Sequence, residues 1–202
     1  VYAKLAGEAP VEPRTPAGIE RALLGADVAL AAGQPDRALA AIRALGEPPP
    51  PGTEPAVLLV RGRAQLAAGR ALDGVRTFAD RERLVPAAEA ASNRQALWEA
   101  LRAAAARGAD LRVPKGTDAL AAGWLELARI ATQGGRNPFA LRPQVEQWRT
   151  RYATHPANGP LVNSMLAEAN QRLGLPPQVA LVLPLTGRME AAGTALRDGF
   201  LA

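Results

Sequence analysis

Along most of the chain, apolar residues return at every third or fourth position, the interval that lines them up on one face of an α-helix. Four such stretches follow one another at residues 89–106, 118–133, 141–152 and 160–173. Trp98, Leu101, Trp124, Leu127, Ile130, Val145 and Trp148 mark their apolar stripes. Most of the 18 Pro and 19 Gly fall between the periodic stretches, where they end helices and mark loops. The apolar residues are mostly Ala and Leu, with few aromatic or β-branched side chains, which suits closely packed helices better than sheets. The prediction is a mainly α chain, long enough to bury one or two cores.

Self-similarity sharpens the prediction in the first ninety residues. Leu30, Ala31, Ala32 and Gly33 return as Leu66, Ala67, Ala68 and Gly69, an offset of 36 residues. Ala26 and Ala38 in the first copy correspond to Gly62 and Gly74 in the second, pairs of small residues placed where two helices must approach closely. A bulky residue follows four positions later in each copy, Ile42 and Phe78, one helical turn on and therefore on the same face. Pro50 and Pro86 are expected to close the copies. This order of small, small, bulky and proline positions resembles the tetratricopeptide repeat, a helix-turn-helix unit of about 34 residues. The resemblance is degenerate: Ala22 and Leu58, and Ala29 and Gln65, occupy the positions where the first helix of such a repeat carries aromatic residues, and the run 48–51 lengthens the connection. Two repeats are fewer than a solenoid needs, so the four later helical stretches are expected to cap them.

The pattern changes after Gly174. Residues 178–187 read QVALVLPLTG, a short apolar run closed by Pro, Thr and Gly, and a helical pattern follows at 190–201. This reads as strand, loop and helix, the opening unit of an α/β domain. A buried parallel strand needs neighbours, so the rest of that domain is expected outside this chain or on another molecule. The loop at Thr186 and Gly187 is a candidate ligand or partner loop, because helix N-terminal amides point at whatever occupies that space.

Charge and composition narrow the function classes. The chain carries 24 Lys+Arg against 19 Asp+Glu, a net charge of +5, and nearly all the positive charge is Arg, with Lys only at Lys4 and Lys115. The cations are interspersed with acids, as at Arg81, Glu82 and Arg83, and lack interleaved aromatics, so a solvated helix surface accounts for them better than nucleic-acid binding does. Arg142, Arg149 and Arg151 are spaced to share much of a helix face and are candidate partner-facing residues. The absence of Cys removes disulfides, thiolate metal sites and Cys nucleophiles. No apolar stretch reaches the roughly 20 residues that span a bilayer, and the start at Val1 shows no signal-like core. A targeting segment and any membrane anchor are therefore expected to lie outside this chain.

Catalytic chemistry finds little support. His155 is the only histidine and sits in a His-Pro turn with no acidic or Cys cluster at metal-ligand spacing. A capping or turn role is expected for it, and neither a metal nor a cofactor is expected. Glu20 and Asp27, or Glu82 and Glu89, could share a helix face at seven-residue spacing, but that is also two turns of a solvated surface. Tryptophans at helical spacing are expected in the core rather than on a sugar-stacking platform.

The stretch 179–202, VALVLPLTGRMEAAGTALRDGFLA, resembles the start of the C-terminal domain of the LppC lipoprotein family, the LpoA-type penicillin-binding protein activators of Gram-negative bacteria. GWLELARIA at 123–131 and QWRTRYATHPAN at 147–158 are similar to the same family. The resemblance implies a helical domain at 1–175 and, at 176–202, the first strand and helix of a type I periplasmic-binding-protein-like domain. It further implies a non-catalytic lipoprotein on the periplasmic face of the outer membrane, held by an N-terminal lipid anchor absent from this chain. Its partner would be a class A penicillin-binding protein, a peptidoglycan synthase, with peptidoglycan itself a further possible contact. A solute receptor with its cleft in the C-terminal domain is the alternative, and a cell-wall-processing enzyme a third class supported only by charge and context.

Overall fold

The computed structural model describes residues 12–135, 137–173 and 181–201. The chain divides into two compact units, Val1–Ala169 and Asn170–Ala202. The first is built from α1 (Pro16–Ala31), α2 (Pro35–Arg43), α3 (Glu54–Ala67), α4 (Ala71–Glu82), α5 (Ala87–Ala106), α6 (Ala119–Gly134), α7 (Pro138–Arg151) and α8 (Pro160–Leu173), the boundary falling in the last turn of α8. From α1 to α7 each helix packs on the next, and α1 with α3, α3 with α5 and α4 with α6 add contacts two helices apart.

The starts of these helices follow from local chemistry. Pro16 opens α1, and the Thr15 hydroxyl accepts the Gly18 N–H at 3.2 Å. The Asp118 carboxylate does the same for α6, accepting the Ala121 N–H at 2.8 Å.

The ends of α1 and α3 use one device, placed where the sequence repeats. Gly33 and Gly69 hold φ of +69° and +78°, and the N–H of the following residue, Gln34 or Arg70, reaches back to the carbonyl of Ala29 or Gln65 at 2.8 Å in both copies. This closure satisfies carbonyls that the helix end leaves bare, and glycine adopts the left-handed turn without a Cβ penalty. A third use ends α5, where Gly108 has φ +85° and the Ala109 N–H donates to the Ala104 carbonyl at 3.1 Å.

The small residues lie where close approach was expected. Ala26 and Ala38 are fully buried. A Cβ added to Gly62 would sit 2.8 Å from the Phe78 ring, and one added to Gly74 would sit 2.5 Å from Leu66 Cγ. Ile42 and Phe78, the bulky followers, are buried in separate cores. Gln65 is accommodated in its apolar row because its side-chain carbonyl accepts the Thr77 hydroxyl of α4 at 2.7 Å. The prolines act differently from expectation. Helix α2 ends at Arg43 and turns at Gly46, φ +86°, well before Pro50, and Pro86 lies beyond α4 as the N-cap of α5.

Two cores hold this unit together. Ala26, Ala38, Ile42, Leu45, Val57, Val60 and Ala64 form one, from α1, α2, the turn after α2, and α3. Leu66, Val75, Phe78, Leu97, Trp98, Leu101, Trp124, Leu127, Val145, Trp148 and Val162 belong to the other, which runs from the end of α3 to α8. Full burial contributes roughly 1.5–3 kcal/mol for each large aliphatic or Phe side chain, which is why four stretches without the repeat signature still join one compact unit.

In the second unit, a single 3-10 turn (Gly187–Met189) leads into α9 (Glu190–Leu201), the helix expected there. Val179 and Ala180 of the expected strand lie outside the described residues. Residues 181–185 form no ladder, and no strand occurs among the described residues. The physical reason is that a strand is defined by pairing, and no strand that could pair with these residues lies among the described residues. Val182 is accordingly 91% exposed, where a buried strand would hide it. Pro184 instead folds back onto α9, its carbonyl so near Gly193 that a Cβ there would collide with it.

Candidate functional site

His155 is the natural place to look for chemistry, and the structure explains its environment in full. The ring is buried and stands edge-on to Trp124 and Trp148, with centroids 5.1 Å away in each case, and to Tyr152 at 6.1 Å. Its Nδ1 accepts the Ala157 N–H at 3.1 Å, while Nε2 lies 3.0 Å from the Leu120 carbonyl. The first bond fixes the tautomer: Nδ1 must be bare, so Nε2 carries the proton and donates. Burial pushes the imidazole pKa below its ordinary value of 6.5, and the Arg94 cation adds to this, while the Leu120 carbonyl and the Glu82 carboxylate oppose it.

Gly123 makes this seat possible. A Cβ on that residue would lie 2.6 Å from the His155 ring, and the Gly123 carbonyl accepts the Trp148 indole N–H at 2.9 Å. The histidine therefore caps the turn after α7 and locks α6 to α7, with both ring nitrogens in use. Trp98, Trp124 and Trp148 are all at most 4% exposed, so the tryptophan stripe is core and offers no stacking platform.

A second polar cluster joins α3, α4 and α5. Asn93 is buried; its side-chain amide donates to the Phe78 carbonyl at 3.1 Å, and its carbonyl accepts from Arg81 Nη1 at 2.7 Å. Arg81 Nε in turn donates to the Pro55 carbonyl at 2.9 Å, and Arg94 donates twice to Glu82 Oε1, at 2.9 and 2.6 Å. This cluster was missed in the sequence, where Arg81 and Glu82 read as solvated surface. A signal was present: Asn93 stands four and eight residues before Leu97 and Leu101, in a row that is otherwise apolar.

Glu82 and Glu89 do not share a helix face, contrary to one expectation. Pro86 separates them, placing Glu82 at the end of α4 and Glu89 in the first turn of α5. Glu20 and Asp27 do share the exposed face of α1. A cavity of about 250 Å³ lies beside Glu82, walled by Phe78, Leu97, Leu120, Trp124 and Pro156, but its charges are already taken: Glu82 by Arg94, and Arg83 by Asp80 at 2.8 Å.

The three arginines that were candidates to face a partner are not brought together. Arg149 turns toward Glu146 and the Asn163 carbonyl oxygen of α8, whereas Arg151 bonds Glu126 of α6 at 3.1 Å. Seven residues place Arg142 and Arg149 on one side of α7, but two more swing Arg151 about 200° around the helix. Arg142 is exposed without a hydrogen-bond or ion-pair partner among the described residues. Thr186 and Gly187 are also exposed; Thr186 makes no side-chain cap bond, and Gly187 has φ +81°.

Among the described residues, no group of His, Asp and Glu could hold a metal ion, and no helix is long and apolar enough to cross a membrane.

Comparison with known proteins gives this geometry a context. Residues 3–202 match the family described as "LppC putative lipoprotein". A Pasteurella multocida protein named penicillin-binding protein activator LpoA is 36% identical over 103 residues, which cover 51% of this chain and 18% of that protein. The Photobacterium profundum protein of the same name is 29% identical over 120 residues, covering 59% and 20%. A solved structure of Haemophilus influenzae LpoA superposes with a TM-score of 0.54 over 98% of this chain and 36% of that one, at 20% identity, a likeness of fold. This chain thus spans about a fifth of the length of the curated relatives it matches.

Proposed function

The chain belongs to the LppC lipoprotein family, and from that membership we propose that it serves a non-catalytic regulator which activates a class A penicillin-binding protein by direct contact. The observation that carries this reading is the match over residues 3–202, together with the name, penicillin-binding protein activator, borne by the curated relatives. The lipoprotein family supports a place in the cell envelope; on this reading the protein faces the periplasm from the outer membrane through a lipid anchor outside this chain.

The helix pairs α1–α2 and α3–α4 act as tetratricopeptide-like repeats in a helical domain covering 1–175. Their matching glycine turns and small-residue contacts support that assignment. Residues 176–202 form the opening of a periplasmic-binding-protein-like domain. The exposed Leu181, Leu185, Phe200 and Leu201 support this, as an apolar side of the kind further domain structure would cover. The solute-receptor alternative has less behind it, because Thr186 and Gly187 lie open on the surface.

The test is glycan polymerisation and cross-linking by a purified class A penicillin-binding protein, with and without the full-length protein. Stimulation supports the reading and an unchanged rate refutes it. A pull-down of the synthase by this chain beside the full-length protein then locates the contact: binding by both places it within residues 1–202, and binding by the full-length protein alone places it outside them.

A further inference from the structure

Helix α1 presents a face to solvent that its own fold leaves chemically incomplete. Glu20, Leu23, Leu24 and Asp27 follow one another at the i, i+3, i+4, i+7 spacing, which puts them in one stripe, and Ile19 lies at its edge. With Pro51 from the turn before α3, they line an open groove of about 610 Å³. Its floor is apolar: Ile19 and Leu23 are half-buried against the first core, and Leu24 is 42% exposed although it is a leucine. Its ends are anionic, with two exposed carboxylates about 10 Å apart along the helix axis.

These carboxylates combine two properties: among the described residues nothing answers them, as nothing answers Glu54, Asp73 or Glu89, and they flank an apolar groove. This is an arginine-rich chain, and many of its acids meet a guanidinium, among them Asp36, Glu47, Glu82, Glu126 and Glu146. Glu20 and Asp27 have no hydrogen-bond or ion-pair partner among the described residues. Two carboxylates held beside the exposed Leu24 and the half-buried Ile19 and Leu23 form a surface that like-charged or purely apolar partners would satisfy poorly. Cations set at the same spacing, flanking apolar side chains, would satisfy both parts at once.

We propose that this face of α1 docks a cationic amphipathic helix of a partner protein, with two Lys or Arg residues seven positions apart meeting Glu20 and Asp27 and the leucine-like side chains between them packing on Ile19, Leu23 and Leu24. The mode is an apolar helix stripe laid against a groove, with charge setting register and orientation. The inference stands on the groove itself and does not depend on the synthase-activating reading.

The experiment uses two 14-residue helical peptides on an Ala/Gln background. One carries Arg-x-x-Leu-Leu-x-x-Arg, the other the same pattern with Glu in place of both Arg. Each is labelled and titrated with the full chain by fluorescence anisotropy. The Arg peptide is expected to bind the chain at least tenfold more tightly than the Glu peptide, with affinity falling as salt is raised. The double variant Glu20→Arg/Asp27→Arg, checked for fold by circular dichroism, is expected to reverse that preference, and Leu24→Ser to weaken binding of the Arg peptide without altering the charge preference. Equal binding of both peptides, no binding of either, or a preference unchanged in the double variant overturns the proposal. Sedimentation equilibrium adds one more decisive outcome: self-association of the chain that the double variant abolishes would make the occupant a second copy and overturn it as well.

Discussion

Replacing Gly74 with Ala sets two opposing effects against each other at one methyl group. In an exposed helix interior the exchange gains about 1 kcal/mol, because glycine loses more backbone entropy on folding than alanine. At Gly74, however, the new Cβ would lie 2.5 Å from Leu66 Cγ, 2.8 Å from its Cδ2 and 3.2 Å from the Gly62 carbonyl oxygen. Carbon atoms prefer about 3.5–4.0 Å. The nearest atom is the branch point of a fully buried leucine and the third is backbone of the facing helix, so neither can step aside cheaply. Overpacking of this kind costs about 1–3 kcal/mol, which leaves a net destabilisation of about 1 kcal/mol and a fall in Tm of about 2–4 °C. Gly25→Ala in α1 is the control, since nothing lies within 4 Å of its added Cβ; it should raise Tm by a similar amount. Urea and thermal unfolding followed by far-ultraviolet circular dichroism, with tryptophan fluorescence as a second probe for the core that Leu66 shares, would read both. Leu66→Ala alone should cost about 2–5 kcal/mol, and in that background the Gly74→Ala step should become neutral or favourable as the methyl enters vacated space. The reasoning fails if Gly74→Ala stabilises the chain as Gly25→Ala does, or if its cost is the same with Leu66 removed.

Other consequences can be measured separately. Because the folded pKa of His155 lies below 6.5, the unfolded chain takes up the proton more readily; the neutral ring's contribution is complete above pH 6.5 and is lost as pH falls from there through the folded value. Urea midpoints at pH 7.5 and pH 5 should differ in the wild type and converge in His155→Ala, and an unchanged difference would assign the effect to other groups. Asn93→Ala removes a side-chain bond to the Phe78 carbonyl and leaves a part-buried Arg81 N–H without its acceptor, and should cost about 1–3 kcal/mol in urea unfolding, whereas Ser92→Ala beside it should stay within about 0.5 kcal/mol. The Arg112 guanidinium and the Arg112 backbone N–H both donate to the Asp110 carboxylate and lower that carboxyl from 3.8 to about 2; carboxyl titration by NMR should show the depression, and Arg112→Ala, which keeps the backbone bond, should raise it part of the way back.

Much of the helical architecture was legible because it rests on local chemistry. The helix at Pro160–Leu173 and the one at Glu190–Leu201 coincide with the periodic stretches, and Gly33 and Gly69 turn the chain where the repeat placed them. The third glycine turn, at Gly108, escaped notice because Ala-Ala-Arg-Gly shares too little with Leu-Ala-Ala-Gly to register as a repeat. Readings that needed partners distant in sequence fared less well. Pro50 looked like a helix end, but Gly46 supplied the turn earlier. Arg149 and Arg151, two residues apart on α7, lie on opposite sides of that helix, and only the placement of α8 and α6 around α7 shows that Asn163 meets one and Glu126 the other. Asn93 gave away its role only through being polar in an apolar row, and its partners Phe78, Arg81 and Glu82 cannot be named without knowing how α4 meets α5.

The sharing of α3 between the two cores bears on how this domain could be cut, spliced or inherited. Val57, Val60 and Ala64 belong to one core and Leu66 to the other, all on a single helix. A break before α3 would strip the cover from three buried side chains, and a break after it would leave Phe78 and Val75 without Leu66. Although four residues recur at an offset of 36, the two copies are not separate packing units: α3 ties them together, so excising either copy is expected to expose buried apolar side chains of the other.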